Sequence, residues 1–305
     1  MKSTAVTAVV VTYNRVSLLR ECIAALQAQT WSPAAIFVVN NASSDGTRAY
    51  LDALASKRPD LFKVVHLAEN TGGAGGFAEG LRQAVASGAE WTWMMDDDAC
   101  PHRTALDELL KVAVVPSNVY GSLAVNGMNT SWSTTLLDQG KVVHLAEDVP
   151  AAARVDSIPL LGFLIHRSLV DKIGYPDAGF FIAADDVEYC VRARQAGSDI
   201  VIAGNSRIEH PRTELSEVKF LGGRVAYLSL PPWKRYYDTR NRLFIARRYY
   251  GFKLYSQTIP GSFVRLVAAM VKEPRKLAQL KAFFAGFVDG LLGIRGKRHE
   301  LWKIK

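Results

Sequence analysis

The chain has 305 residues and 22% charged residues, which suits a large folded domain, with or without an extension, and excludes a disordered chain. Its three cysteines are widely spaced and form no CxxC pair, which argues against a disulfide framework or a zinc site and fits a reducing compartment. The N-terminus lacks the charged start and cleavage site of a signal peptide, and no apolar run reaches the ~18 residues of a transmembrane helix.

The net charge of +8 is unevenly distributed along the chain. Residues 1–210 hold 17 Lys and Arg against 23 Asp and Glu, whereas residues 211–305 hold 20 against 6. A basic C-terminal third predicts an anionic partner, which could be a membrane surface, a nucleic acid or a phosphorylated substrate.

The first hundred residues alternate between strand-like and helical patterns. Strands are predicted at 5–11, 36–39, 63–67 and 91–95, and helices at 17–29, 47–56 and 77–86. This order is typical of a largely parallel sheet with helices on both faces. Because ligands of such sheets bind outside the carboxyl ends of the strands, the polar segments 12–15, 40–47 and 96–98 are expected to converge on one crevice.

The second half of the chain gives a sparser pattern. A helix is predicted at 185–195, a strand at 200–202 and further helices at 234–250 and 262–292. Residues 211–232 are rich in turn-forming residues and predict a mobile lid or connector. We therefore expect an α/β domain at 1–215 and a basic helical region at 216–305.

Three consecutive aspartates, Asp96, Asp97 and Asp98, directly follow the apolar strand at 91–95. Like charges this close repel each other, and a divalent cation relieves the repulsion because hard cations take oxygen ligands. Asp96 and Asp98 lie on the same side of an extended chain, so one ion can bind both. The pattern predicts a divalent-cation site, with a solvated acidic turn as the alternative.

A glycine-rich run precedes the third predicted helix. Residues 73–78 match the dinucleotide-binding pattern GxGxxA, and an acidic residue follows ~20 positions later. That pattern normally occupies the first strand–helix turn, however, and here it follows the third strand. We favour close approach of the glycine backbone to a bound ligand, with a flexible turn before a helix as the alternative.

A second acidic cluster lies at the start of the helix predicted at 185–195. The cluster consists of Asp185, Asp186 and Glu188. These acids could be structural, because negative charges at a helix N-terminus interact favourably with the helix dipole. They could instead supply a general base and a neighbour that tunes or orients that base. His210 follows the last predicted strand of the domain. It could be structural, or its imidazole could complete a metal site begun by carboxylates.

Taken together, these motifs resemble glycosyltransferase family 2, whose members have the GT-A nucleotide-sugar fold. The resemblance runs from Val9 to about His210. Residues 11–15 are similar to the opening strand and nucleotide loop of the family, and residues 38–47 are similar to its second motif, with Asn40 and Asn41 in place of two acids. The aspartate triplet takes the place of the metal-binding DxD motif.

The resemblance implies roles for individual residues. Asp186 corresponds to the catalytic base, with Asp185 and Glu188 supporting it, and a single base acting in a direct displacement implies inversion at the anomeric carbon. The implied ligands of Mn²⁺ or Mg²⁺ are Asp96, Asp98 and His210. The implied contacts to the nucleotide and sugar are Thr12, Tyr13, Arg15, Asn41, Gly72, Gly73, Gly75, Gly76 and Asp97. Arg15 could also be a solvated loop charge, and Trp91 and Trp93 are expected in the core.

Within the family, the doubled glycines of residues 70–77 and the three aspartates are similar to those of galactofuranosyltransferases. This implies transfer of galactofuranose from UDP-galactofuranose to a hydroxyl of a lipid-linked glycan, such as an O-antigen, a capsule or a cell-wall polysaccharide. One alternative is rhamnosyl transfer from dTDP-rhamnose. Another is a sugar nucleotidyltransferase, although residues 11–15 lack the Gly-rich basic loop of that class.

The C-terminal third interleaves bases with aromatic residues, but no nucleic-acid-binding module precedes them, so nucleic acid is not predicted as a partner. Bases also lie between apolar residues that could form one helix face. Those apolar residues are Phe263, Leu266, Val267, Met270, Phe283, Phe284, Phe287, Leu291 and Leu292. The pattern predicts helices that lie on a membrane surface, and hence a cytoplasmic enzyme bound peripherally to the inner face of the cell membrane. Packing on the rest of the chain, or on a second subunit of a homo-oligomer, is the alternative.

Overall fold

A computed structural model describes residues 5–211, 215–220 and 223–305. The strands are β1 (Val6–Thr12), β2 (Ala35–Asn40), β3 (Phe62–His66), β4 (Trp91–Asp96), β5 (Cys100–Pro101), β6 (Val119–Asn126), β7 (Asn129–Leu136), β8 (Lys141–Leu145), β9 (Ala153–Arg154), β10 (Phe163–His166), β11 (Ile200–Glu209), β12 (Leu215–Phe220) and β13 (Gly223–Leu228). The helices are α1 (Val16–Gln27), α2 (Thr47–Lys57), α3 (Gly72–Ala86), α4 (Ala105–Val112), α5 (Arg167–Ile173), α6 (Asp185–Gln195), α7 (Pro232–Ile245), α8 (Ile259–Lys272) and α9 (Lys276–Leu292).

The first four strands form a parallel sheet in the order β3-β2-β1-β4, which confirms the fold predicted for the first hundred residues. Beyond β4 the sheet becomes mixed. β10 runs antiparallel to β4 and β6, and β6 then pairs in parallel with β11. The carboxyl ends of β1, β2 and β4 therefore open at the same edge of the sheet.

Strand β1 is buried along its whole length, and its two faces belong to two different cores. Ala8 and Val10 pack in the core beneath α1, whereas Val9 and Val11 pack in the core beneath α3. Helix α1 contributes Leu19, Cys22, Ile23 and Leu26, which recur at the helical spacing of one buried stripe. The predicted core positions of Trp91 and Trp93 are confirmed.

The chain forms two compact units. The first unit comprises Met1–Asp177 and Tyr189–Arg212, and the second unit comprises Ala178–Glu188 and Thr213–Lys305. This division differs from the expected boundary at 215, because residues 178–188 group with the C-terminal part of the chain. The reason is a set of long-range hydrogen bonds from α7 to the backbone of this segment.

In the second unit, α7 and α9 approach each other closely at glycines. A Cβ on Gly286 would lie 2.3 Å from the carbonyl oxygen of Tyr236, and a Cβ on Gly290 would lie 2.7 Å from that of Arg240. A π-helical turn at Ala246–Tyr250 continues α7, in agreement with the predicted helix at 234–250. The helix predicted at 262–292 is divided into α8 and α9 by a break at which Arg275 has a φ of 58°.

The lid or connector predicted at 211–232 contains an antiparallel pair of strands, β12 and β13. Residues 212–214 and 221–222 of that prediction lie outside the described residues. Throughout the described ranges, no helix has both the length and the apolar composition that crossing a bilayer requires.

Gly76→Ala is expected to destabilise the first unit, because the new Cβ would lie 2.4 Å from Cγ1 of Val11. Val11 is a β-branched strand residue and cannot swing away, so overpacking should lower the free energy of unfolding by about 1–3 kcal/mol. Gly73→Ala is the matched control, because Gly73 lies in the same helix and a Cβ there would have no neighbouring atom within 4 Å. The control should be neutral or stabilising in urea unfolding. Equal losses in both variants would contradict this account of α3.

Candidate active site

Side chains from the ends of β1 and β4 meet at the carboxyl edge of the parallel sheet. The hydroxyl of Thr12 donates to Asp97 Oδ2 at 2.7 Å, and Arg15 Nη1 lies 2.9 Å from Asp98 Oδ2. The loop after β2 joins them, since the main-chain N–H of Ser44 donates to Asn14 Oδ1 at 2.7 Å. The predicted convergence of segments 12–15, 40–47 and 96–98 is confirmed.

The carboxylate of Asp97 points into the protein. Its oxygens accept hydrogen bonds from the Thr12 hydroxyl, from the Tyr13 N–H at 3.4 Å and from Arg15 at 3.4 Å. Burial raises the pKa of Asp97 above its ordinary value, although the Thr12 hydrogen bond and the Arg15 charge oppose the rise. Asp97 therefore anchors the 12–15 loop, and its expected contact with the donor sugar stays a prediction.

Arg15 is not a solvated loop charge, because its guanidinium pairs with both Asp97 and Asp98. Partial burial acts to lower the pKa of Arg15, but the charges of Asp97, Asp98 and Asp96 outweigh it and raise that pKa. The guanidinium thus relieves part of the repulsion within the aspartate triplet. From the sequence, this relief was expected from a metal ion alone. About half of the Arg15 side chain stays exposed, so it can still meet an anionic ligand.

Two of the three expected metal ligands lie together. His210 Nε2 is 3.8 Å from Asp98 Oδ1, and that oxygen is buried without a hydrogen-bond partner in the described part of the chain. His210 is fixed by a hydrogen bond from its main-chain N–H to the Val125 carbonyl at 2.9 Å and by edge contact with the Trp132 ring. A carboxylate oxygen without a hydrogen bond beside an imidazole suits a divalent cation.

The third expected ligand is Asp96. Among residues 5–211, 215–220 and 223–305, no group of three or more His, Cys, Asp or Glu side chains is arranged to hold a metal ion. Asp96 closes β4, and its carbonyl oxygen accepts from the Ala99 N–H. Its role as a metal ligand stays a prediction.

The glycine run forms the first turn of α3, whereas the sequence analysis predicted that this helix begins only at 77. Gly72 has a φ of 74°, which favours glycine there, and Gly76 is required by the packing on Val11. A Cβ on Gly75 would lie 2.4 Å from the Thr71 hydroxyl oxygen. Gly73 is the member of the run that faces open space, so its backbone remains the best candidate for close approach by a ligand.

The asparagines of the second motif have structural partners. Asn41 is buried, its Nδ2 donates to the Gly72 carbonyl, and its Oδ1 accepts from the Thr71 N–H, each at 2.9 Å. An aspartate at this position could not donate to the Gly72 carbonyl, so the amide is what allows both contacts. Asn41 therefore ties the end of β2 to the start of α3, and its expected contact with the nucleotide stays a prediction.

Sequence reasoning missed the role of Asp45 in this loop. Its Oδ2 accepts from the Val16 N–H at the start of α1, and its Oδ1 accepts from the Thr47 N–H at the start of α2. One carboxylate thus satisfies N–H groups of two helix starts. The sequence signal was present in the Ser-Ser-Asp-Gly-Thr run ahead of α2, although the contact with α1 is long-range.

In the second unit, the predicted base lies in the first turn of α6, directly after an unusual backbone segment. Phe181, Ala183 and Ala184 have φ values of 66°, 69° and 61°, which non-glycine residues rarely adopt. Each such residue costs about 1–2 kcal/mol relative to a right-handed conformation. Strain stored ahead of an acid pair is typical of a functional segment.

Asp185 and Asp186, the first two residues of α6, have raised pKa values. Burial and then the charge of Asp186 raise the pKa of Asp185 to about 7. Burial also raises the pKa of Asp186, against a 2.7 Å hydrogen bond from the Val187 N–H and the charge of Arg242. Glu188 is fully buried and accepts from the Tyr249 hydroxyl. A carboxylate whose pKa is raised is a stronger base than an ordinary aspartate, which suits Asp186 to taking up a proton from a substrate.

Comparisons with known proteins agree with the resemblance. The family model "Glycosyl transferase family 2" matches residues 7–157. The chain is 30% identical over 253 residues to the galactofuranosyltransferase GlfT1 of Mycolicibacterium smegmatis, covering 79% of this chain and 82% of that protein. It is 25% identical over 136 residues to the dTDP-rhamnosyl transferase RfbF of Shigella flexneri, covering 44% of this chain and 45% of that protein.

Among solved structures, the chain resembles GalNAc-T7 with UDP, GalNAc and Mn²⁺. The TM-score is 0.60 at 14% identity, covering 96% of this chain and 57% of that one. At this identity the likeness bears on the fold alone, and it confirms the predicted GT-A architecture.

Proposed function

Because the chain belongs to glycosyltransferase family 2, we propose that it transfers galactofuranose from UDP-galactofuranose to a hydroxyl of a lipid-linked cell-surface glycan. The observation that carries the proposal is the extent of the likeness to a galactofuranosyltransferase. It covers 79% of the chain, which is more than the first unit alone provides. The similarity to a rhamnosyltransferase covers 44% of the chain, so rhamnosyl transfer from dTDP-rhamnose is the second candidate.

Membership of this family argues against a sugar nucleotidyltransferase, because that class of enzyme forms a nucleotide sugar, whereas a glycosyltransferase consumes one. The dinucleotide-binding interpretation of residues 73–78 also loses its support. That fingerprint normally occupies the first strand–helix turn, whereas these glycines follow β3 and open α3.

In the first unit, we assign donor binding to the carboxyl edge of the sheet. Arg15 presents a cation to the diphosphate, and the open position at Gly73 lets backbone N–H groups of the first turn of α3 approach an anion. Asp98 and His210, with Asp96, would hold Mn²⁺ or Mg²⁺. Such an ion, when bound, neutralises the charge that develops on the leaving diphosphate.

In the second unit, we assign the base to Asp186. Its carboxylate accepts the proton of the acceptor hydroxyl as that oxygen attacks the anomeric carbon. The hydrogen bond from the Val187 N–H fixes one of its oxygens. One base and one displacement invert the configuration at the anomeric carbon.

A membrane-bound acceptor is supported by the surface of α8, α9 and the turn before α8. Part of the predicted apolar face is used for packing, because Leu266 and Phe283 are buried. Another part is exposed and is extended by further apolar side chains: Phe252, Tyr255, Phe263, Val267, Val271, Leu277, Phe284, Val288 and Leu292. Exposed bases accompany them at Lys253, Lys272, Arg275, Lys276 and Lys281. Apolar side chains flanked by bases suit the surface of an anionic bilayer.

Calorimetric titration with UDP in the presence of Mn²⁺ tests the donor assignment. Binding should require the metal ion, should be abolished by EDTA and should exceed dTDP binding. Asp98→Asn removes the carboxylate beside His210 and should weaken binding by about tenfold or more. The matched control is Asp60→Asn, at an aspartate that is 69% exposed elsewhere in the first unit. Preference for dTDP would favour rhamnosyl transfer, and metal-independent UDP binding would contradict the metal assignment.

Asp186→Ala should lower kcat by about 10²-fold or more while it leaves UDP affinity unchanged, because the base acts on the acceptor proton. The measurement is transfer from UDP-galactofuranose to a lipid-linked acceptor, with Asp199→Ala as the control for an exposed acid. Retained turnover in Asp186→Ala would contradict the base assignment.

The pH dependence of kcat should show its acid limb above pH ~4, the ordinary value for an aspartate, because burial raises the pKa of Asp186. The direction of this pH dependence follows from the role of Asp186 as a base. A base must be ionised, so the rate falls as pH falls through a raised pKa. Asp185→Asn removes one of the two interacting acids and should move the limb to lower pH. A limb near pH 4 in the unsubstituted enzyme would show that this pair does not govern the rate.

A further inference from the structure

The backbone that leads into the acid pair is held by one amide side chain. Three carbonyl oxygens, of Phe180, Ile182 and Ala183, lie 3.2, 2.8 and 2.7 Å from Asn241 Nδ2 on α7. These carbonyls belong to the segment that has left-handed φ angles at Phe181, Ala183 and Ala184. The strained segment therefore directs three of its carbonyl oxygens to one donor, the side-chain nitrogen of Asn241.

Arg240 fixes the orientation of this amide. Its Nε donates to Asn241 Oδ1 at 2.8 Å, and because a guanidinium can only donate, the oxygen of the amide must face it. The amide nitrogen is thereby directed to the carbonyls, which can only accept. Arg240 also donates from Nη2 to the carbonyls of Gly179 at 3.1 Å and Phe180 at 2.7 Å.

Both side chains are almost fully buried, with 1% of each exposed. A buried polar group must be hydrogen-bonded, so the two side chains and the carbonyls stabilise one another only in this arrangement. Non-glycine residues keep a left-handed conformation where the surroundings determine it by several contacts. Asn241 and Arg240 provide those contacts within the second unit.

We propose that Asn241, oriented by Arg240, is a positioning residue for Asp185 and Asp186. It holds residues 180–184 in the left-handed path that starts α6 at the acid pair, and so fixes where those carboxylates lie. This role rests on the proposed function, in which Asp186 is the base.

The test compares Asn241→Ala with Gln279→Ala. Gln279 is a matched control, because it is a buried amide of the same unit that lies between an arginine, Arg235, and a backbone carbonyl, that of Leu230. We would measure kcat, UDP affinity, urea unfolding and hydrogen exchange of peptides that cover residues 178–188. Asn241→Ala should lower kcat by about 10–100-fold at unchanged UDP affinity and accelerate exchange at 180–188. Gln279→Ala should lower stability without either effect.

Asn241→Asp is the second variant, to be used if Asn241→Ala does not fold. It keeps the acceptor for Arg240 and places an oxygen against the three carbonyls, so it should show the same loss of kcat and the same faster exchange. Normal kcat despite faster exchange, or an equal loss of kcat in Gln279→Ala, would overturn the positioning role.

The two proposals fail in different ways. If the unsubstituted enzyme transfers no galactofuranose, the proposed function fails, and the exchange comparison still decides whether Asn241 holds the segment. Exchange at 180–188 that is no faster in Asn241→Ala than in Gln279→Ala would overturn the inference whatever the sugar.

Discussion

The carboxyl edge of the sheet in the first unit depends on one buried carboxylate, that of Asp97. A charge taken out of water is costly, and the raised pKa of Asp97 shows that its partners offset this cost only in part. What the protein gains is a link between the end of β4 and the loop after β1, through the Thr12 hydroxyl and the Arg15 guanidinium. Arg15 then extends this link to Asp98, which retains one oxygen without a hydrogen bond among the described residues. The three aspartates are therefore not equivalent, since the middle one builds the loop and its neighbour Asp98 faces His210.

Much of this edge could be predicted from sequence because it follows from topology. Strands that run in parallel bring the residues after them to one edge, so the convergence of segments 12–15, 40–47 and 96–98 required only the β-α-β order. The glycine run was misplaced for a different reason. Glycine is a poor helix former, which argues for a turn, but the packing of Gly76 on Val11 and Gly80 on Val9 outweighs that propensity in α3. Such contacts depend on which residues of β1 face the helix, and a single sequence does not contain that information.

The contacts that hold the backbone ahead of Asp185 and Asp186 could not be predicted from the sequence. Phe181, Ala183 and Ala184 give no sign of a left-handed backbone, because alanine and phenylalanine ordinarily avoid it. The partners that hold this backbone, Arg240 and Asn241, lie about 60 residues later, in a stretch that the sequence identified only by its bases and aromatic rings. The grouping of residues 178–188 with the C-terminal unit follows from the same contacts.

Helices α8 and α9 of the second unit carry apolar side chains both in the interior and on the surface. An apolar stripe at helical spacing predicts one buried face, yet here Leu266 and Phe283 pack inside whereas Phe263 and Phe284 remain 40% and 50% exposed. A helix that is apolar on more than one side needs a second apolar environment, or it exposes a patch that favours association. The bases beside these side chains argue for an anionic environment over a plain protein contact. The same unit holds Asn241 against the segment that carries Asp186. In the proposed function, acceptor binding and the positioning of the base therefore belong to the second unit, and the aspartate triplet of the first unit serves the nucleotide.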